Sequence, residues 1–290
     1  MKSVKKLVLV GLVLLASVMV LLPLVGCKSE VDPEVKEPPY LTFKADSEQT
    51  LTMKIQYEFT LHKSLQYSVG GGEWKQLQAE TAISFGGAVG DLRMRGKSAG
   101  GTSNLLQNAW TYISFGNSEV KVACTGDIRT LVDYENYSTA DTSRAVFMAL
   151  FSGCTSLTSA PALPAETLAE YCYWGMFFGC TSLISAPALP AETLAWKCYS
   201  SMFSGCTSLT SAPALPAETL AEECYERMFY GCTKLSSVTM LATDISAEYA
   251  LDGWLYGVAP AGTIFTAADT TLPEESIPAG WTVQDYVPQQ

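Results

Sequence analysis

The clearest pattern of apolar and polar positions is a repeat of 26 residues in the second half of the chain. Three nearly identical copies and a degenerate fourth begin at Gly153, Gly179, Gly205 and Gly231. Self-similarity at a fixed period predicts units that stack and bury their apolar faces against one another. Because the same apolar columns continue into degenerate turns on both sides, the predicted stack covers residues 118–258, with the strict copies at 153–230.

Each copy predicts a short strand followed by a helical return. In the first copy the strand is predicted at 157–163 and the helix at 166–178. The constant residues Cys172, Met176 and Phe177 recur at helical spacing, whereas positions between them vary from copy to copy. A repeat of this length, with one strand and one return, is typical of leucine-rich repeats.

The positions that vary between copies are expected to face solvent, because packing does not constrain them. Four aromatic residues on this varying face are candidate anchors for a protein partner. They are Tyr171, Trp174, Trp196 and Tyr230.

Residues 40–117 alternate between apolar and polar residues and are divided by glycine-rich turns, which predicts a small antiparallel β-sandwich. Three aromatic residues in this region are candidates for a glycan-binding platform, and ordinary core packing is the alternative. They are Tyr67, Trp74 and Trp110. Residues 259–290 are expected to close the far end of the stack. The predicted fold class is α+β, with an N-terminal small β-sandwich followed by a short leucine-rich-repeat solenoid of 26-residue repeats.

The N-terminus has the order of features found in export signals. Three lysines precede an apolar run that ends in Leu24-Val25-Gly26-Cys27. These four residues resemble the bacterial lipobox, so residues 1–26 are predicted to be a signal peptide and Cys27 the lipidated first residue of the mature chain. Residues 27–39 are charged and contain proline, which predicts a tether. The alternative for the apolar run is an uncleaved transmembrane anchor.

The charge of the chain argues against nucleic acid as a partner. The whole chain has a formal net charge of −11, and removal of residues 1–26 takes away three lysines and no acidic residue, which leaves −14. Solubility at a crowded surface explains this acidity more simply than a specific cationic ligand does. The partners expected are therefore the membrane, through the lipid on Cys27, and a protein or glycan ligand.

Eight cysteines follow Cys27, an even number in a chain predicted to be exported. Disulfides are one reading of that number. Buried free thiols are favoured, because Val146, Ala250 and Val258 occupy the same columns in the degenerate turns and these columns therefore accept small apolar groups. Metal binding is less favoured than either, since neither a CxxC motif nor a histidine accompanies the cysteines.

Few residues of the chain are candidates for catalysis. The single histidine, His62, lies in a stretch typical of a strand, and the nearby acids Asp127, Asp133 and Glu135 are typical of a solvated turn. No nucleophile with a matching base is evident. The chain is accordingly predicted not to be an enzyme and to need no cofactor or metal.

Several motifs together resemble a known family. The elements MF-x-GCTSL, APALPAETLA and CY-x-x-MF, with LQYSVGGGEW before the repeats and IPAGWTV after them, are similar to BspA-like leucine-rich-repeat lipoproteins of Bacteroides-type bacteria. The resemblance covers nearly the whole mature chain. It implies display at the outer membrane surface and, for some members, adhesion to host or bacterial proteins, without catalytic residues.

The expected function is therefore that of a non-catalytic surface lipoprotein that binds a host or bacterial protein. One alternative is a structural or accessory subunit of an envelope complex. A second is a glycan-binding protein, which predicts a cleft between the sandwich and the first turn of the stack, near Trp110 and Asp133.

Overall fold

The structure, a computed structural model, describes residues 37–268 and 270–288. The predicted signal peptide, the lipidation site Cys27 and most of the predicted tether lie outside these ranges. The described residues form one compact unit. The last residues of the predicted tether contact the body, since Glu37 pairs with Arg93 and the Pro39 carbonyl accepts a hydrogen bond from the Asp127 amide.

Short strands carry most of the regular structure of the described residues. They are β1 (Leu41–Lys44), β2 (Gln49–Gln56), β3 (Gln66–Val69), β4 (Lys75–Gln76), β5 (Ala82–Phe85), β6 (Leu92–Arg95), β7 (Ser103–Asn104), β8 (Ala109–Phe115), β9 (Val122–Thr125), β10 (Leu157–Ser159), β11 (Ala214–Leu215), β12 (Ser237–Met240), β13 (Gly262–Thr266) and β14 (Trp281–Asp285). Single 3₁₀ turns lie at Gly87–Val89, Leu105–Gln107, Ile128–Leu131, Tyr137–Thr139 and Glu274–Ser276.

These strands form three sheets. One has six strands in the order β10, β9, β1, β6, β3, β4, and a second has the order β5, β2, β8, β7. The third contains β11 to β14 in sequence, and its strands are parallel. The first sheet joins the N-terminal strands to the repeats, because β10 of the first strict copy pairs with β9.

The first two sheets pack together through alternating side chains. Phe43 on β1 lies 6.5 Å from Phe85 on β5 and 6.1 Å from Phe115 on β8, measured between ring centroids. Inward residues of these strands are buried and their neighbours are partly exposed, which is the alternation that the pattern at 40–117 predicts.

The prediction of an α+β leucine-rich-repeat solenoid is wrong. The described residues contain almost no helix and are mostly sheet. Within the predicted helix at 166–178, residues 170–178 form a run of turns. The cause lies in the backbone hydrogen bonds. The amides of Tyr173 and Phe177 donate to the carbonyls of Cys198 and Met202 in the next copy, so they are not free to form the i to i−4 bonds of an α-helix.

The intervening amides close tight turns within the same copy. The Met176 amide donates to the Tyr173 carbonyl, an i to i−3 bond. The backbone enters the left-handed region at every fourth residue, with φ of 54° at Tyr171, 55° at Gly175 and 69° at Gly179. Consecutive four-residue turns therefore place Cys172 and Met176 on one face at the same spacing that an α-helix would give.

The predicted strand at 157–163 is largely absent as well. In this segment only Leu157–Ser159 is a strand, with an isolated bridge from Ala162 to Asp127. The equivalent segment of the second copy contributes a single bridge, between Ser185 and Ser211. Proline explains the short strands, since Pro161 and Pro164 lack the N–H group that a sheet ladder requires.

The repeated positions nevertheless stack in register. The rings of Phe151, Phe177, Phe203 and Phe229 are nearly parallel, with successive centroids 5.2, 5.5 and 5.6 Å apart. All four are fully buried. The eight cysteines of the described residues are free and buried, which confirms the prediction of core thiols and not the alternative of disulfides.

The C-terminal segment covers the last turn of the stack. The indole of Trp281 donates to the Ala259 carbonyl at 2.7 Å, and that of Trp254 donates to the Ser276 carbonyl at 2.8 Å. Within the part of the chain that the structure describes, no helix is long and apolar enough to cross a bilayer.

Candidate functional site

A cleft of about 350 Å³ lies where the second sheet meets the first copies of the repeat. It brings together Trp110, from the predicted glycan platform, and Trp174, from the predicted varying face. We call it the aromatic cleft. Its lining residues are Gln56, Trp110, Tyr112, Ala149, Ser152, Trp174, Gly175, Phe178 and Ser201.

Strand β8 supplies one wall of the cleft. Thr111 and Ile113 are buried in the sandwich, so their neighbours Trp110 and Tyr112 project to the opposite side. Gln56 on β2 is the register partner of Trp110 and therefore lies beside it. The strand is tied to the stack, because the Ile113 amide donates to a carbonyl of the first turn.

The first copies of the repeat supply the other wall. The left-handed backbone at Gly175 separates Trp174 from the buried residues that follow, and the Trp174 carbonyl accepts a hydrogen bond from the Ala149 amide. Phe178 is 50% exposed although its neighbour Phe177 is fully buried. A small cluster of Val146, Met148 and Ala149 packs against both tryptophans and supports them from below.

The chemistry of the aromatic cleft is uncharged. Its described lining combines four aromatic rings with the amide of Gln56 and the hydroxyls of Tyr112, Ser152 and Ser201. Small-molecule sites commonly have this composition, in which a mostly apolar wall carries a few convergent polar groups.

An exposed tyrosine extends the cleft along its rim. Tyr57 is 61% exposed, and its ring contacts that of Trp110 edge-on at 5.4 Å between centroids. Its backbone is in the left-handed region at φ 53°, which is uncommon for a bulky residue and is often found at functional sites.

The other two residues of the predicted glycan platform lie elsewhere. Trp74 follows β3 and packs against Tyr40, while the guanidinium of Arg95 lies 4.1 Å from the Trp74 ring and 4.2 Å from that of Tyr134. Tyr67 is on β3 and packs against the core. Because Trp110 belongs to a different sheet, the structure does not bring the three aromatic residues together.

The four predicted anchors on the varying face separate into three places. Trp174 lines the aromatic cleft. Tyr171 contacts Trp196 edge-on at 4.9 Å, and the ammonium of Lys197 lies over both rings. Tyr230, further along the stack, lies parallel to Tyr256 at 5.0 Å.

Beside Trp196 two carboxyl groups interact. Lys197 binds the Glu223 carboxylate at 2.7 Å, and this hydrogen bond lowers the pKa of Glu223. Burial, followed by the contact with Glu223, raises the pKa of Glu226. The Trp196 indole also donates to Glu223, so this group is largely satisfied within the protein.

The remaining candidates do not join the aromatic cleft. Asp133 accepts hydrogen bonds from the amides of Glu135 and Asn136, and His62 contacts Ser64 at the surface. Tyr112 and Phe178 were not among the predicted site residues. Two features of the sequence could have indicated them. Tyr112 is two residues from Trp110 and therefore on the same face of the strand, and position 178 varies between copies. Within 37–268 and 270–288, no group of three or more His, Cys, Asp or Glu side chains is placed to hold a metal ion.

No protein-family model, curated protein or solved structure matches this chain.

Proposed function

We propose that this protein is a non-catalytic, lipid-anchored surface protein that binds a neutral carbohydrate in the aromatic cleft. The observation that carries the proposal is the pairing of Trp110 and Trp174 in one uncharged cleft. The C–H faces of a sugar ring pack on aromatic rings, while its hydroxyls need amide and hydroxyl partners. The cleft offers Gln56, Ser152 and Ser201 for the second purpose.

The size and charge of the cleft support a small neutral ligand. A volume of about 350 Å³ is near the lower end of the range for small-molecule sites. A charged ligand would bury its charge without a partner in the described lining, at a cost of several kcal/mol. The proposal includes no catalytic step, because the described lining contains no carboxylate or imidazole to act as acid or base.

The proposed location rests on the sequence of the N-terminus. Export followed by lipidation of Cys27 would hold residues 28–290 at the outer membrane, on the outside of the cell. Protease treatment of intact cells, followed by mass spectrometry, tests this location. Recovery of peptides from 28–290 is expected, and their appearance only after cell lysis would contradict surface display.

Binding is tested with the purified protein on a glycan array, followed by calorimetry on the glycans that bind. Trp110→Ala and Trp174→Ala are each expected to weaken binding about 5- to 30-fold, since each removes a stacking surface of roughly 1–2 kcal/mol. Trp196→Ala is the matched control, because it makes the same change on the varying face outside the described lining of the cleft. Equal effects of all three substitutions, or no glycan binding, would contradict the proposal.

A second candidate ligand is a protein, either a host or bacterial protein or a partner in the envelope. The observation that favours it is the contact between the half-buried Tyr171 and the exposed Trp196, because aromatic residues are frequent anchors in protein interfaces. If a protein is the ligand, the wild type binds no glycan, and Trp196→Ala reduces co-purification of a partner from native membranes. Trp110→Ala and Trp174→Ala then leave the recovery of that partner unchanged.

A further inference from the structure

We infer that the carbohydrate is a linear polysaccharide, and that it continues from the aromatic cleft along one column of the stacked copies. This inference rests on the proposed function. The column, which we call the aromatic column, contains one residue from each of four consecutive copies. They are Phe178, Ser204, Tyr230 and Tyr256.

These four positions are equivalent in the backbone. The Gly179 amide donates to the Ser204 carbonyl at 2.8 Å, and the Gly205 and Gly231 amides donate to the Tyr230 and Tyr256 carbonyls at 2.7 Å. Each hydrogen bond joins the same two positions of neighbouring copies. The four side chains therefore project from neighbouring, equivalent positions on one face of the stack.

The rings of this column are exposed although the adjacent column is completely buried. Phe178, Tyr230 and Tyr256 are 50%, 41% and 66% exposed, whereas the Phe177 column is fully buried. Exposed aromatic rings in line mark a binding surface more often than a scatter of single apolar residues does. Between Phe178 and Tyr230, the small and buried Ser204 leaves a gap one copy wide.

The spacing of the column matches an extended sugar chain. Tyr230 and Tyr256 stack on each other with centroids 5.0 Å apart, so their exposed ring edges repeat at a spacing comparable with the length of one sugar unit in an extended 1,4-linked chain. Phe178 forms part of the aromatic cleft at one end. At the other end Tyr256 lines a second cavity of about 300 Å³, together with Pro260 and Ser276. A narrow line of rings between two cavities fits a linear ligand better than a globular partner.

A length series of soluble oligosaccharides tests the inference. The probes are cello-, xylo-, manno- and malto-oligosaccharides from disaccharide to octasaccharide, measured by calorimetry with the purified protein. For the series that binds, the Kd of the wild type is expected to fall roughly tenfold or more between the disaccharide and the hexasaccharide, as added units reach the outer rings. The double variant Tyr230→Ala/Tyr256→Ala is expected to bind the disaccharide like the wild type and to gain little with length.

Tyr249→Ala is the matched control, because Tyr249 is 60% exposed and lies outside the aromatic column. It is expected to keep the full length dependence. A wild-type affinity that does not change with length, or a double variant that keeps the length dependence, would overturn the inference while the proposed function stands. Failure of the wild type to bind any probe or any array glycan would instead overturn the proposed function, and the inference with it.

Discussion

The Cys180 thiol donates a hydrogen bond to the carbonyl oxygen of Phe151, which is 3.1 Å away and 29 residues earlier in the chain. The same contact recurs from Cys206 to Phe177 and from Cys232 to Phe203 at the same distance. Each thiol therefore fills a core position and satisfies a backbone acceptor of its neighbour. This explains how cysteine fits columns that small aliphatic residues occupy in the degenerate turns.

The buried thiols are expected to be unreactive in the folded protein. A thiol reagent acts on the thiolate, and burial raises the pKa of these groups while it blocks access. Titration with Ellman's reagent should detect almost none of the eight thiols in the native protein and all of them in guanidinium chloride. If the eight react only after a reductant is added to the denatured protein, they form disulfides and are not core thiols.

Stability is expected to fall at alkaline pH. Burial raises the pKa of Cys224 and Cys232 to about 12, and it also raises the pKa of Tyr199 and Tyr225. The unfolded thiols lose their protons near pH 8.5, so between about pH 8.5 and 12 the unfolded state binds fewer protons than the native state. The free energy of unfolding is unaffected by these groups below that window and decreases as the pH rises through it.

Urea denaturation from pH 7 to 11 measures this dependence. Replacing one thiol, as in Cys232→Ala, should reduce the slope above pH 9 by about 1.4 kcal/mol per pH unit, the contribution of a single proton. The substitution also lowers stability at neutral pH, but only the slope is diagnostic. An unchanged slope would show that Cys232 is not protected from ionisation in the native state.

Phe177 and Phe178 provide a test of the stacked columns with two adjacent residues of the same type. Phe177→Ala removes a fully buried ring from the phenylalanine stack and is expected to cost about 3–5 kcal/mol of stability. Phe178→Ala removes a half-exposed ring, so we expect a loss of roughly 1 kcal/mol or less, together with weaker glycan binding. Chemical denaturation measures both. Similar losses for the two variants would contradict the arrangement of the columns.

Much of the core was predictable from the repeat alone, whereas the secondary structure of the return was not. Constant positions such as Cys172 and Phe177 had to meet their equivalents in the next copy, and they do. The same spacing is produced by an α-helix and by consecutive four-residue turns, because both place positions i and i+4 on one face. The two structures differ in whether the backbone amides donate hydrogen bonds within the same copy or to the next copy. Apolar periodicity is the same in both cases and does not distinguish them.

The aromatic cleft shows a similar limit. The sequence predicts Trp110 and Trp174 as site residues, but in two separate sites, because they are far apart in the chain. Their meeting depends on tertiary contacts such as the pairing of β9 with β10 and the bond from the Ile113 amide to the Leu150 carbonyl. Local patterns carry no information on those contacts.

The left-handed positions of the turns predict an unusual response to glycine. Ser201 has φ 57°, and its equivalents Gly175 and Gly253 have φ 55° and 58°. A left-handed conformation costs a residue with a side chain about 1–2 kcal/mol, which exceeds the roughly 0.5–1 kcal/mol of backbone entropy that glycine loses on folding. Ser201→Gly is therefore expected to stabilise the protein by about 0.5–1 kcal/mol in urea denaturation.

Ser208→Gly is the matched control in the same copy, because Ser208 is not among the positive-φ residues. This variant is expected to be less stable than the wild type by a similar amount. Destabilisation by both substitutions would mean that the backbone at position 201 is not left-handed, which would contradict the consecutive four-residue turns.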